Sequence, residues 1–111
     1  MKLEFAVGIT YHSWDGSPEN IGNLRFPDYD TAEEFAKQFR DGETGATVFA
    51  VVDNKYVFYC QRYAIEENNI AYFIHYQSYE WGQVQTTIWR KHLENNPEKF
   101  YKYASYIIPA P

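Results

Sequence analysis

Apolar and polar positions alternate from Leu3 to Tyr11, which predicts a first strand ending in the turn-rich run Ser13-Trp14-Asp15-Gly16-Ser17-Pro18. Residues 13 to 28 make the longest irregular stretch, and connections of that length in compact domains tend to carry function or to lie packed on the fold. The period then changes. Ala32, Phe35, Ala36 and Phe39 recur at helical spacing behind Thr31 and Glu34, a capping-box pair, and Gly42 supplies a stop, so a helix is expected over 31 to 41. From Ala46 onward β-branched and aromatic residues dominate, and Thr47 to Val52, Lys55 to Ala64 and Ile70 to Tyr79 read as three strands of an antiparallel meander. Asp53-Asn54 suits the first turn because both residues tolerate positive φ, and Glu66-Glu67-Asn68-Asn69 suits the second. Gln83 to Arg90 holds Thr86-Thr87-Ile88-Trp89 and leans to a fifth strand. Asn96-Pro97 is an N-cap followed by proline at the first helical position; with Phe100, Tyr103, Ala104 and Ile107 behind it, a second helix should end before Pro109.

This β-α-β-β-β-(β)-α order describes one α+β domain over residues 1–111, an antiparallel sheet of four to five strands with two short helices. Five such strands present on the order of 600 Å² per face, whereas two helices of about 11 residues shade about 300 to 350 Å². One face should be half covered and the other nearly bare. A bare face of an antiparallel sheet is ordinarily polar, yet here Ile70, Tyr72, Ile74 and Tyr76 alternate with Ala71, Phe73, His75, Gln77 and Tyr79, and Tyr56, Phe58 and Cys60 alternate with Val57, Tyr59 and Tyr63. Both faces are apolar or aromatic, so a loop, a second copy or another protein is expected to cover the second one. The plainer alternative is that loop 13 to 28 folds over this face and completes a two-sided core.

Charge narrows the classes of partner. The first 45 residues hold four basic and nine acidic side chains, and the remainder holds six of each, so the whole net charge of −5 belongs to the first part. That part is a docking face for a basic partner or simply a solvated acidic surface, and it disfavours wrapping nucleic acid. The single cysteine, Cys60, excludes an intrachain disulfide and suggests a reducing compartment. The apolar start is broken by Glu4, and no apolar run approaches the roughly 18 residues of a spanning helix. A cytoplasmic protein with no membrane association is expected, in the host cytoplasm if phage encoded.

The chemistry-bearing residues form no recognisable catalytic motif. Cys60, His12, His75 and His92 are too far apart for a zinc spacing, and neither a metal nor a cofactor is called for. Cys60 between Tyr59 and Gln61 reads as a small buried hydrophobe rather than a nucleophile. Asp28-Tyr29-Asp30 offers hard oxygens to a divalent cation, or equally carboxylates to the positive end of a helix. Phosphate-loop, nucleophile-elbow, zinc-protease and EF-hand patterns are absent, which weakens an enzymatic reading. Trp89 to His92 and Lys99 to Tyr103 mix rings with cations in the manner of single-strand binders, but residues 89 to 103 carry only four basic side chains against two acidic ones. Direct nucleic-acid binding is therefore disfavoured.

Val7-Gly8-Ile9-Thr10-Tyr11-His12-Ser13-Trp14-Asp15-Gly16-Ser17, then Gly22-Asn23-Leu24-Arg25-Phe26 and Asp28-Tyr29-Asp30-Thr31-Ala32-Glu33-Glu34-Phe35, resemble the opening of the N-terminal domain of ArdA-type antirestriction proteins. The resemblance covers about residues 7–35. That family is longer and far more acidic because it imitates DNA phosphates, whereas this chain is neutral beyond Gly45. What the resemblance implies is a small phage or mobile-element protein that binds and blocks a bacterial enzyme.

Taken together, the residues point to a non-enzymatic, protein-binding inhibitor or immunity protein, with anti-defence activity or activity against a toxin-type enzyme. Its expected contact residues are Trp14, Asp15, Tyr59, Tyr63, Phe73, His75, Tyr79 and Trp81. Aromatic anchors would carry affinity, and the acidic N-terminal region would orient a basic or nucleic-acid-handling enzyme. A homodimer is a further option. The competing class is a small-molecule or nucleotide-binding protein with an aromatic-lined pocket around His75, with or without catalysis. If the sheet face is a docking face, Tyr63→Ala or Tyr79→Ala weakens partner binding more than it lowers the melting temperature; a large drop in melting temperature would place these rings in the core.

Overall fold

The alternation of residues 3 to 11 becomes β1 (Leu3–Tyr11), paired along its whole length with β2 (Thr44–Val52), from Leu3 opposite Val52 to Tyr11 opposite Thr44. The computed structural model describes residues 1–12, 16–66, 69–78 and 82–109, with side chains described for 1–12, 16–60 and 91–109. β3 (Tyr56–Glu66), β4 (Asn69–Ser78) and β5 (Gly82–Trp89) follow as an antiparallel meander, giving the order β1-β2-β3-β4-β5. The chain is thus an α+β protein built on an antiparallel sheet. Asp53 and Asn54 turn β2 into β3 with φ of 54° and 51°, the pair of positive values that a two-residue type I′ hairpin requires. The β2–β3 ladder stops at Phe49 opposite Tyr59, beyond which β3 continues to Glu66 with β4 alone, so the sheet curls.

The first helix, α1 (Tyr29–Lys37), begins and ends earlier than the spacing predicts. Asp28, not Thr31, is the N-cap: its Oδ1 accepts from the Thr31 N–H and the Thr31 hydroxyl, both at 2.8 Å. Aspartate reaches the first turn's orphan donors at least as well as threonine, and these two bonds hold the Asp28 carboxyl below its ordinary pKa. The helix stops before Gly42 because residues 41 to 44 are needed for a tight turn into β2. There the Asp41 carboxylate accepts from the Glu43 and Thr44 amides, both at 2.8 Å. Arg40 reaches forward to the Ala46 carbonyl at 2.8 Å and pairs with Glu33.

At the C-terminal end the single helix expected between Pro97 and Pro109 is not continuous, and a further short helix precedes it. α2 (Arg90–Asn95) follows β5 directly, and α3 (Pro97–Phe100) runs into a 3-10 turn at Tyr101–Tyr103. Asn96 supplies no side-chain cap. Instead of continuing as helix, the chain extends as β6 (Tyr106–Ile107), with Ile107 opposite Tyr56 and Tyr106 opposite Val57. The Ser105 and Ile108 amides donate to the Val57 and Lys55 carbonyls at 2.8 and 2.9 Å. The β4 ladder begins only at Tyr59, so this stretch of β3 had backbone groups to satisfy, and that outweighed helical spacing.

Two cores result. On one side of the sheet Phe5, Val7, Val48, Ala50, Val52, Phe58 and Cys60 pack against Ala32 and Ala36 of α1 and Leu93 of α2. On the other side Ala6, Phe49, Val51 and Val57 are fully buried, covered by Ile21, Tyr59, Tyr106 and Ile108. The expectation of a nearly bare second face is therefore corrected for β1, β2 and the first residues of β3. The described part of loop 13 to 28, together with the C-terminal segment, lies over it. The same loop closes the outer edge of β1: Phe5 and Phe26 exchange backbone bonds at 2.9 Å, and the Gly22 amide donates to the Val7 carbonyl at 3.1 Å.

The loop can lie this close only because two glycines face each other. A β-carbon on Gly16 would stand 1.8 Å from the Gly8 carbonyl oxygen, and one on Gly8 would stand 2.4 Å from the Ser17 carbonyl oxygen and 2.6 Å from the Phe49 ring. Gly8→Ala or Gly16→Ala should lower unfolding free energy by about 1 to 3 kcal/mol or more, the usual range for overpacking a closed site. Denaturant unfolding followed by circular dichroism measures it, with Gly42→Ala, where nothing lies within 4 Å, as the control.

Candidate functional site: an exposed tyrosine beside unpaired carboxylates

Four of the nine acidic side chains of the first 45 residues already have work within the fold. Asp28 caps α1, Glu33 pairs with Arg40, Glu34 lies 3.9 Å from Lys37 and Glu4 lies 3.6 Å from Lys2. Asp41 and Glu43 have no ion-pair partner among the described residues, and both are exposed. They stand where β1 ends. Tyr11, opposite Thr44, is 74% exposed, far above any other large apolar side chain described. The next residue, His12, turns the chain with φ of 62° and donates its amide to the Glu43 carbonyl at 2.7 Å.

The two amides that bond to Asp41 hold its carboxyl below the ordinary value, so the charge persists into mildly acidic solution. The arrangement is a strand end whose exposed tyrosine lies across the ladder from the turn that carries Asp41 and Glu43. It can anchor in a pocket and attract a cationic surface. Neither Tyr11 nor this carboxylate pair was singled out from sequence. A tyrosine closing an alternating strand looks like any other strand residue until the pairing shows that nothing covers it.

Of the residues expected to make contacts, Trp14, Asp15, Tyr79 and Trp81 lie outside the described residues. Tyr59 is half-buried, its ring 5.0 Å from that of Phe49 at 53°, and it belongs to the second core. In the ladders His75 stands opposite Tyr59 and Gln85, and Phe73 stands opposite Thr87. A register shift between Cys60 and Tyr63 places three steps of β3 against two of β4, and Tyr63 falls opposite Tyr72. The bulge therefore puts Tyr63 out of step with Tyr59, Phe73 and His75, which the simple alternation had grouped with it.

Several of the other chemistry-bearing residues have structural work. The carboxylate of Asp28 in Asp28-Tyr29-Asp30 serves the helix cap. Among the described residues no three His, Cys, Asp or Glu side chains stand together as a metal site, and no helix is long and apolar enough to cross a membrane. The C-terminal rings engage one another: Tyr101 stacks on Tyr56 at 3.8 Å and 5°, its hydroxyl donates to Asp53 at 3.3 Å, and Lys102 lies over Tyr103. Burial and the neighbouring Asp53 raise the Tyr101 phenol, which remains a donor.

The fold and this site define a small α+β protein with an antiparallel meander and an anionic, tyrosine-bearing strand end. Comparison with protein-family models, with curated proteins and with solved structures finds no match.

Cys60 is 1% exposed within the first core, and burial pushes its thiol up to about 12. Its reactive thiolate is accordingly scarce at neutral pH. A thiol reagent such as Ellman's should leave the native protein unlabelled at pH 8 over the time in which it labels one equivalent in denaturant. Rapid native labelling would show that the core opens at β3.

Proposed function

We propose that the chain is a non-enzymatic inhibitor of phage or mobile-element origin that binds and occludes a bacterial enzyme of defence or toxin type. The observation that carries this reading is the exposure of Tyr11 across from the turn that holds Asp41 and Glu43, within the segment that holds all of the chain's net charge. Tyr11 acts as the anchor, and the carboxylates attract and orient a basic target. Trp14 and Asp15 continue the same segment in sequence and extend the contact. Phe73 and His75 of β4, with Tyr79 and Trp81 just after it in sequence, are the further contact residues of this reading. The resemblance of residues 7–35 to ArdA-type antirestriction proteins supports the origin and the kind of target. Mimicry of a whole DNA duplex is not part of the reading, because the chain beyond Gly45 is neutral.

Affinity and rate separate the two parts of such a site. An aromatic anchor contributes chiefly to the lifetime of the complex, and rim charge chiefly to the rate of encounter. A target captured from a bacterial lysate should lose activity on addition of one equivalent of the purified chain. Tyr11→Ala should then raise the dissociation constant by about thirtyfold, as expected for a central aromatic contact. Asp41→Asn with Glu43→Gln should slow association and flatten its dependence on salt while leaving dissociation nearly unchanged. Inhibition that is equal for all three proteins, or a captured protein whose activity the chain does not alter, overturns the proposal.

A further inference from the structure

The two edges of the sheet are treated differently. The outer edge of β1 is closed by the chain itself through the Phe5–Phe26 and Gly8–Ile21 bridges. β5, the opposite edge, pairs with β4 from Gly82 opposite Ser78 to Trp89 opposite Ala71, and among the described residues no strand pairs its other side. The helix that follows, α2, sends its Leu93 into the first core. Along about 26 Å of strand at the usual rise, the outward backbone groups of β5 therefore have no strand partner among the described residues.

Natural edges of this length normally carry a device against pairing, such as a lysine, a proline or an inward charge. Gly82-Gln83-Val84-Gln85-Thr86-Thr87-Ile88-Trp89 has none of these, and it is uncharged from end to end in a chain where 23% of residues are charged. We infer that β5 pairs antiparallel with β5 of a second copy of this chain, joining the two sheets into one continuous sheet across a two-fold axis.

Three features favour a second copy over a foreign strand. A two-fold antiparallel joint brings each strand against itself, so any charge on the edge would meet its own kind, and this edge carries none. The charge that would repel a like molecule is confined to residues 1 to 45, and the part of the chain that includes β5 is neutral. By residue type Gln83, Gln85, Thr86 and Thr87 are polar and uncharged, and threonine is favoured opposite threonine across antiparallel strands. An antiparallel ladder of this length forms on the order of eight backbone hydrogen bonds. The joint lies at the opposite edge of the sheet from β1 and leaves the Tyr11 end accessible in both copies. The inference does not depend on the inhibitor reading.

Sedimentation velocity on the full chain over a wide concentration range tests it, together with hydrogen exchange at the lowest and highest concentrations. The expected result is a reversible monomer–dimer equilibrium in which alternate amides of Gln83–Trp89 exchange at least about tenfold more slowly at high concentration, as an outward ladder requires. Gln85→Lys with Thr87→Lys should raise the dimer dissociation constant about tenfold or more, with an unchanged circular dichroism spectrum. If that variant does not fold, the exchange pattern of the unaltered chain decides alone. A monomer at every concentration, a dimer whose newly protected amides lie outside β5, or a folded variant that dimerises as before overturns the inference. A monomer whose β5 amides become protected only on binding a target enzyme would assign the edge to that target instead.

Discussion

The close approach of Gly8 and Gly16 sets the geometry on which the rest of the structure depends. β1 and β2 form the longest ladder shared with a helix-bearing connection, and each has apolar side chains on both faces. One face is covered by α1, whose Ala32 and Ala36 present small side chains so that the helix can sit close. The other is covered by a loop that must pass directly over the backbone of β1, where any β-carbon would collide with a carbonyl group. Once it passes there, the Gly16 amide donates to the Thr47 hydroxyl at 3.0 Å, Pro18 is buried and Ile21 reaches the second core. The loop then runs back along β1 and satisfies its outer backbone groups.

The hairpin turn at Asp53-Asn54 ties the remaining pieces to this centre. Asp53 accepts from the Lys2 amide at 2.8 Å and donates its own amide to the Lys2 carbonyl at 2.8 Å, so the start of β1 is fixed to the tip of the β2–β3 hairpin. Asn54 accepts from two nitrogens of Arg25 at 3.2 and 3.1 Å, which anchors the far end of the loop. Tyr101 approaches from the C-terminal segment, stacked on Tyr56 and bonded to Asp53. Loop, first strand and C-terminal segment thus converge on one turn. The bonds are exposed and individually modest, but they act on segments already ordered by the two cores.

This closure moves the functional question from the faces of β1–β3 to the margins of the sheet. A half-buried Tyr59 held against Phe49 is a packing residue first, so the second face there offers no broad aromatic surface. Among the described residues two features stand out instead, an exposed ring at the acidic end of β1 and, on β5, an uncharged strand with no further strand partner. The two have different physics. A ring and two carboxylates recognise a shaped, cationic partner, whereas a strand edge recognises another strand through its backbone and discriminates weakly between sequences.

Local pattern was enough to determine the elements that rest on local physics. The limits of β1, the positive φ values of Asp53 and Asn54, the helical stripe of Ala32, Phe35, Ala36 and Phe39, the strand nature of Gly82–Trp89 and the burial of Cys60 all follow from alternation, turn chemistry or residue type. The α+β class followed from their order. Tertiary contact decided everything that depended on which backbone groups lacked partners. It shortened α1 so that Asp41 could form its turn, replaced the end of the last helix by β6 beside Val57, shifted Tyr63 out of step through a bulge, and laid residues 16 to 21 across a face that composition alone left open. Periodicity records which side of an element is apolar, but the group that covers that side comes from elsewhere in the chain, and only the assembled fold brings the two together.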